Sequence, residues 1–205
     1  MDMDNEGPFY LTNRTRGQGC IPCTEGVPQC STRSRPNGCV FGPCPDDWQA
    51  VHAYASDEAT MHFLPEGVMS EEQVQTFIAE QAGDEARAFA VVAKPDDRPI
   101  GHLIFHSWYG PRTHEIGWVL RQDMRGKGYT TEGARALLRY GFEMLGLHRI
   151  IATCQPENPA SWRVMEKLGM RREAHFRKGH LWRDGSWWDE YFYAILAEEW
   201  NPASR

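Results

Sequence analysis

The densest run of chemically useful residues lies between Glu115 and Glu132, which reads Glu-Ile-Gly-Trp-Val-Leu-Arg-Gln-Asp-Met-Arg-Gly-Lys-Gly-Tyr-Thr-Thr-Glu. A strand-like apolar stretch runs into Arg125-Gly126-Lys127-Gly128 and then directly into a helical pattern. Glycines let successive backbone N–H groups turn inward, and a helix N-terminus adds partial positive charge, so such a loop can hold phosphate. Arg125 and Lys127 add full charges. A lone Gly-x-Gly is also what an ordinary flexible turn looks like, and the spacing fits neither a P-loop nor the dinucleotide fingerprint.

Other residue types carry less. His102, His106, His114, His148, His175 and His180 lack metal-ligand spacing and read as scattered strand or surface histidines. Arg171, Arg172, Arg177, Lys178 and Arg183 form a basic run that reads as a solvated face or a contact for an acidic acceptor. Trp162, Trp182, Trp187 and Trp188 read as core or rim residues, and Cys154, in an apolar stretch, as inert core.

These residues need a frame. Asp46 or Asp47 can cap a short helix through Trp48, Val51, His52 and Tyr54. Ser70-Glu71-Glu72-Gln73 is a capping box opening a second helix with Val74, Phe77 and Ile78 on one face. Residues 88–93, 100–108 and 112–121 read as three strands in an antiparallel meander, the first ended by the turn at Pro95 to Arg98. Thr130 or Thr131 starts a helix carrying Ala134, Leu137, Leu138, Phe142 and Leu145. Residues 148–154 then form an apolar strand covered on both faces. Asn158-Pro159 caps and opens a helix ended by Gly169. Strands over 171–180 and 187–196, joined by Asp184-Gly185, close the chain. The order predicts an α/β fold with a mixed sheet, antiparallel first and with a parallel crossover in the middle.

The chain has 205 residues, with 41% apolar and 24% charged residues, a globular composition. It contains no apolar run of about 18 residues, so no membrane span is expected, and Met1 to Tyr10 is no secretory signal. With 22 basic against 28 acidic residues the net charge is −6, which argues against broad nucleic-acid binding. A cytoplasmic protein is expected.

Three motifs then act together: Glu115-Ile-Gly-Trp-Val-Leu with Arg125-Gly-Lys-Gly-Tyr-Thr-Thr-Glu; Asn158-Pro-Ala-Ser161 with Glu166-Lys-Leu-Gly-Met; and Gly185 to Trp200 with Asp189, Tyr193 and Glu199-Trp200. As a set they resemble the GNAT superfamily of acyl-CoA-dependent N-acetyltransferases, with the match nearest the Rim-type branch that acetylates protein N-termini. The resemblance spans Asp46 to Trp200. It implies the GNAT fold, a mostly antiparallel mixed sheet with flanking helices and a parallel pair at the acyl-CoA cleft. One departure is Asp123, where the superfamily often has Gln or Arg three residues before the first glycine.

On this resemblance acetyl-CoA is the cosubstrate, lying between the strand ending at Arg121 and the strand ending at Cys154. Its pyrophosphate would meet Arg125, Gly126, Lys127, Gly128, Tyr129 and Thr130, and its thioester carbonyl a backbone N–H near Trp118, Val119 or Leu120. Asn158 would cap its helix and contact the pantetheine arm. Glu115 would be the general base, directly or through a water; the alternative is a carboxylate on the outer face of its strand. Many members place a Tyr where this chain has Met165, so Ser161, at the Rim-type serine position, would return a proton to the CoA thiolate; otherwise it is a solvated helix-start serine. His180 could line the acceptor pocket.

The acceptor implied is a protein N-terminal α-amine. A small amine such as a polyamine, drug or amino acid is the alternative, and a non-catalytic acyl-CoA-binding module is a rival of another class. Relatives pair through their late strands, and both a monomer and a homodimer fit the sequence.

The head, residues 1–45, is different in texture. It holds Cys20, Cys23, Cys30, Cys39 and Cys44 and few aliphatic residues, so it is expected to be disordered rather than to build a core. One Cys-x2-Cys pair without a second knuckle leaves zinc as a rival reading, and disulfides conflict with a cytosolic setting. Branch members begin with a strand resembling Thr-Glu-Arg-Leu-x-Leu-Arg-Pro-Leu just before the first helix. In the frame that starts on the third base of each codon, Pro36 to Cys44 permit that strand. The head therefore reads as a frameshifted segment, which the coding DNA decides, and the fold is expected to lack its first strand.

Overall fold

The computed structural model describes residues 9–12, 47–81, 87–93 and 98–201. Seven strands form one sheet: β1 (Phe9–Thr12), β2 (Ala88–Ala93), β3 (Arg98–Ser107), β4 (Thr113–Leu120), β5 (Arg149–Cys154), β6 (Arg171–Leu181) and β7 (Trp187–Leu196). Their order across the sheet is β1-β2-β3-β4-β5-β7-β6. Every neighbouring pair is antiparallel except β4 and β5. The expected mixed α/β architecture, with one parallel pair in the middle, is the observed one.

The helices are α1 (Trp48–Ala55), α2 (Glu58–Met61), α3 (Glu71–Glu80), α4 (Tyr129–Arg139) and α5 (Pro159–Lys167). α4 continues into a π turn over Tyr140–Met144. The capping box at α3 forms as the sequence requires: the Gln73 N–H donates to Ser70 Oγ at 3.2 Å and the Ser70 N–H to Gln73 Oε1 at 2.8 Å. At α5 the Ser161 N–H donates to Asn158 Oδ1 at 3.2 Å, and Pro159 occupies the first turn. Asp47 precedes α1 but gives it no side-chain cap. Helix α2 was not expected; Asp57 caps it, accepting from the Thr60 N–H at 2.9 Å.

One correction concerns the sheet edge. A first strand was not expected, yet Phe9–Thr12 pairs antiparallel with β2, with Phe9 opposite Ala93 and Thr12 opposite Ala90. Three of the four residues, Phe9, Tyr10 and Thr12, are strand-favouring aromatic or β-branched types, and the run occupies this edge from well upstream of the segment compared with the family strand. The remainder of the head, with its five cysteines and its reading-frame origin, lies outside the described residues, as does the turn before Arg98.

Two apolar layers clamp the sheet. On one face α4, α5 and the α5 C-cap Leu168 contribute Ala134, Leu137, Leu138, Met165 and Leu168 to a core with Leu103, Phe105, Ile116, Ile150 and Ile195. On the other, α1 and α3 pack Val51, Tyr54, Val74 and Ile78 around Val119. Among the described residues, no helix is long and apolar enough to cross a membrane.

The second layer holds a buried histidine. His102 on β3 is 7% exposed, with its Nδ1 2.9 Å from the Tyr54 hydroxyl and its ring 5.2 Å from that of Phe77. Burial pushes its pKa down to about 4. Below the ordinary histidine value of about 6.5, the unfolded chain binds a proton that the folded chain refuses. This contribution to stability is therefore complete above pH ~6.5 and lost as pH falls toward 4, on the order of 3 kcal/mol in all. Thermal denaturation at pH 7.5 and pH 4.5 should show a drop in Tm that the His102→Gln variant reduces. An equal drop in both proteins would place the acid sensitivity elsewhere.

Candidate active site

The site exists because a parallel pair stops pairing. β4 and β5 are in register only from Thr113 opposite Arg149 to Glu115 opposite Ile151. Beyond Glu115, β4 keeps β3 as its partner while β5 keeps β7. The strands diverge, and a cleft of about 970 Å³ opens between them. Backbone N–H groups of β4 without a β5 partner are thereby available on one wall.

The cleft floor and mouth follow from the loop chemistry. β4 ends at Leu120, whose carbonyl accepts from Arg125 Nε at 3.1 Å, folding the loop back on the strand. Gly126 and Gly128 have φ of +76° and +91°, conformations that L side chains rarely adopt, which explains the two glycines. Gly128 is the N-cap of α4 and supplies no side-chain cap, so the first-turn N–H groups of that helix are not taken up by a capping side chain. Asp123, the departure from the family pattern, is engaged by Arg121 at 2.6 and 3.0 Å on the exposed side of the turn.

Glu115, Trp118, Val119, Leu120, Arg125, Gly126, Gly128, Tyr129, Thr130, Asn158 and Ser161 all line this one cleft. Lys127 does not; its ammonium lies on the exposed side, 3.7 Å from Met124 Sδ. Glu115 stands at the point where pairing ends, with its side chain 26% exposed. Burial pushes its carboxyl above the ordinary carboxylate range, with Glu190 acting in the same direction and His106 and a Thr153 hydrogen bond against it. Ser161 is buried at the start of α5, close enough to the Cys154 thiol to favour its ionised form. That thiol also lines the cleft, and burial pushes its pKa up to about 12, so it stays protonated.

The opposite end of the cleft is aromatic and acidic. Trp108, Phe176, Phe192, His180 and Glu190 line it. Trp108 and Phe176 flank Phe192, with ring centroids 5.6 and 6.2 Å away. A β6 irregularity between Phe176 and His180 shapes this end. Lys178 sits there with φ +49°, its N–H donating to Asp189 Oδ1 at 2.8 Å, while Asp189 Oδ2 lies 2.7 Å from His175 Nε2. Such a bulge re-aims neighbouring side chains.

Sequence reasoning missed Glu190, Trp108, Phe176 and Phe192. The alternation along β7 carries part of the signal, since Glu190 and Phe192 share a face. Their approach to Glu115 depends on β7 pairing beside β5, which strand periodicity does not specify. Part of the basic run is engaged within the fold: Arg171 pairs with Glu173 and Glu199, and Arg172 lies over the Tyr191 ring. Trp182 is buried, stacked 4.3 Å from Trp188. Among the described residues, no group of three or more His, Cys, Asp or Glu side chains could hold a metal ion.

A splayed parallel pair at the centre of an otherwise antiparallel sheet, with a glycine loop feeding a helix at its mouth, defines an acyl-CoA-dependent transferase. The acetyltransferase (GNAT) domain matches residues 40–171, and this chain belongs to that family. The uncharacterized N-acetyltransferase YnaD of Bacillus subtilis is 52% identical over 155 residues, 76% of this chain and 91% of that protein. A GNAT-family acetyltransferase structure from Bacillus anthracis superposes with a TM-score of 0.74 at 47% identity, covering 78% of this chain and 95% of that one. The ribosomal protein uS5-alanine N-acetyltransferase of Escherichia coli is 32% identical over 98 residues, 48% of this chain and 47% of that protein. The chain is an acetyl-CoA-dependent N-acetyltransferase.

Proposed function

We propose that residues 46–205 acetylate the α-amine of a protein N-terminus by direct attack on acetyl-CoA, without a covalent enzyme intermediate. The observation that carries this reading is the convergence, in one cleft, of unpaired β4 backbone, the glycine loop, Ser161 and Glu115. Backbone N–H groups of Arg125 to Thr130 would hold the pyrophosphate. Those of Trp118 to Leu120 would hold the thioester oxygen, whose negative charge grows as the amine attacks. Asn158 would meet the pantetheine arm.

The proton ledger suits this acceptor. An α-ammonium with a pKa of about 7.7–8.0 needs only a weak base near neutral pH, whereas a lysine at about 10.4 needs far more. A single partly buried carboxylate, Glu115, is adequate for the first task. The relative that acetylates the uS5 alanine supports the same acceptor class. After the C–S bond breaks, the Ser161 hydroxyl would give its proton to the CoA thiolate and recover one from the attacking nitrogen. The protonated Cys154 thiol can donate to Ser161 Oγ and leave the hydroxyl hydrogen free for that step.

The test is a mass-spectrometric acceptor screen. It would use peptides with free α-amines, the same peptides with blocked α-amines and free lysines, and spermidine. Acetylation confined to the free α-amines is expected, with Ser161→Ala lowering kcat about tenfold, below the usual span for a direct acid–base group. Its Asn158 cap should persist, because the bonded group is the Ser161 backbone N–H. Comparable turnover of blocked peptides or faster turnover of spermidine would overturn the acceptor assignment.

A further inference from the structure

Acetyl transfer from an ammonium acceptor releases one net proton per turnover. The ammonium loses one proton before it attacks; the nitrogen loses a second after attack, and that one ends on the CoA thiolate. The first must leave the enzyme while acceptor and cosubstrate fill the cleft in front of Glu115. What stands behind Glu115 therefore matters.

His106 stands there. β3 and β4 place it directly opposite Glu115, and its Nε2 lies 3.9 Å from Glu115 Oε2. It is not among the cleft-lining residues, and its side chain is 29% exposed, so it has access to solvent outside the cleft lining. Its Nδ1 lies 3.0 Å from the Ser107 carbonyl oxygen. A carbonyl only accepts, so Nδ1 must carry the hydrogen, which leaves the neutral ring with its lone pair on Nε2, facing Glu115. The other ionisable groups near this point are Glu190 from β7, close enough to act on Glu115, and His114 from β4, whose ring is turned to the other face of the sheet, 4.8 Å from that of Phe105.

We propose that His106 is a proton-relay residue, taking from Glu115 the proton removed from the acceptor and releasing it to solvent. The inference rests on Glu115 being the base. The carboxylate accepts the ammonium proton; the carboxylic acid passes it to Nε2, by a small approach or through one water; the imidazolium gives it to a buffer base. Glu115 is thereby returned to its ionised form before the next acceptor arrives. His106 acts through Glu115 and touches no substrate, so it is a positioning and relay residue rather than a catalytic one.

Two measurements test it. Imidazole ¹⁵N–¹H correlation spectra of the full chain need no acceptor: the neutral His106 ring should be the Nδ1–H tautomer, and an Nε2–H tautomer would overturn the relay. With an α-amine peptide as acceptor, His106→Gln should lower kcat roughly tenfold, less than loss of a direct acid–base group. It should leave the acetyl-CoA KM unchanged and make kcat rise with added imidazole. A loss that imidazole does not rescue, or wild-type kcat without buffer dependence, would overturn it. If Glu115→Gln loses rate while His106→Gln does not, the base assignment stands and only the relay falls; if neither loses rate, both fall.

Discussion

Replacing Glu115 with Gln should lower kcat/KM for an α-amine acceptor by roughly 10²–10⁴-fold, the usual span for a positioned acid–base group. Gln has nearly the same shape and can still hydrogen-bond Thr153, so little but the ionisable carboxyl is lost. Stability supplies the control. The folded pKa of Glu115 lies above its ordinary value, so ionising it at neutral pH costs the folded chain free energy. Removing the charge also relieves the approach of Glu190. The variant should therefore melt at or above the wild-type Tm, and a deep loss of activity could not be ascribed to unfolding. Glu115→Asp should recover part of the rate, because it keeps the charge one methylene further from the amine. Steady-state kinetics beside calorimetric melting decides the matter: near wild-type kcat/KM in Glu115→Gln would leave the cleft without its base and favour a substrate-assisted reaction.

The parts of this site that were legible in the sequence are those made by short stretches of chain. The Ser70 box, the Asn158-Pro159 cap and the glycine pair before α4 each follow from backbone groups a few residues apart, and all appear where the residues require them. Strands β2 and β7 have the expected bounds, and β3 to β6 differ by one or two residues at their ends. What was hidden depends on chain segments far apart. Glu190 reaches Glu115 only because β7 inserts between β5 and β6, and no pattern within residues 187–196 states that order. His106 becomes the neighbour of Glu115 through hairpin register, which the turn between β3 and β4 sets. Edge strand β1 was missed because four residues carry too little periodicity to stand out from the proline- and cysteine-rich segment that follows. His102, one of the apparently scattered histidines, proves to be core because Tyr54 from another element meets its ring nitrogen.

Gly126→Glu and Gly128→Glu should each weaken acetyl-CoA binding more than a hundredfold, and their alanine counterparts show why the effect is specific. At both glycines a side-chain carbon would meet no atom within 4 Å, so neither substitution clashes with the fold. The positive φ values still impose backbone strain of about 1–2 kcal/mol on any L side chain. That strain bounds the alanine variants, whose affinity should fall by roughly thirtyfold at most. Glutamate carries the same strain and adds a carboxylate where the pyrophosphate would lie. Two unit charges about 4 Å apart repel by about 4 kcal/mol at an effective dielectric of 20, enough for a further factor of several hundred. Salt separates the two contributions, because screening acts on charge and leaves strain untouched. Calorimetric titration with acetyl-CoA at low and high ionic strength should therefore find the glutamate defect shrinking with salt while the alanine defect stays constant. Glutamate variants that bind like their alanine counterparts would mean the phosphates lie elsewhere, and the loop would then serve only to turn the chain from β4 into α4.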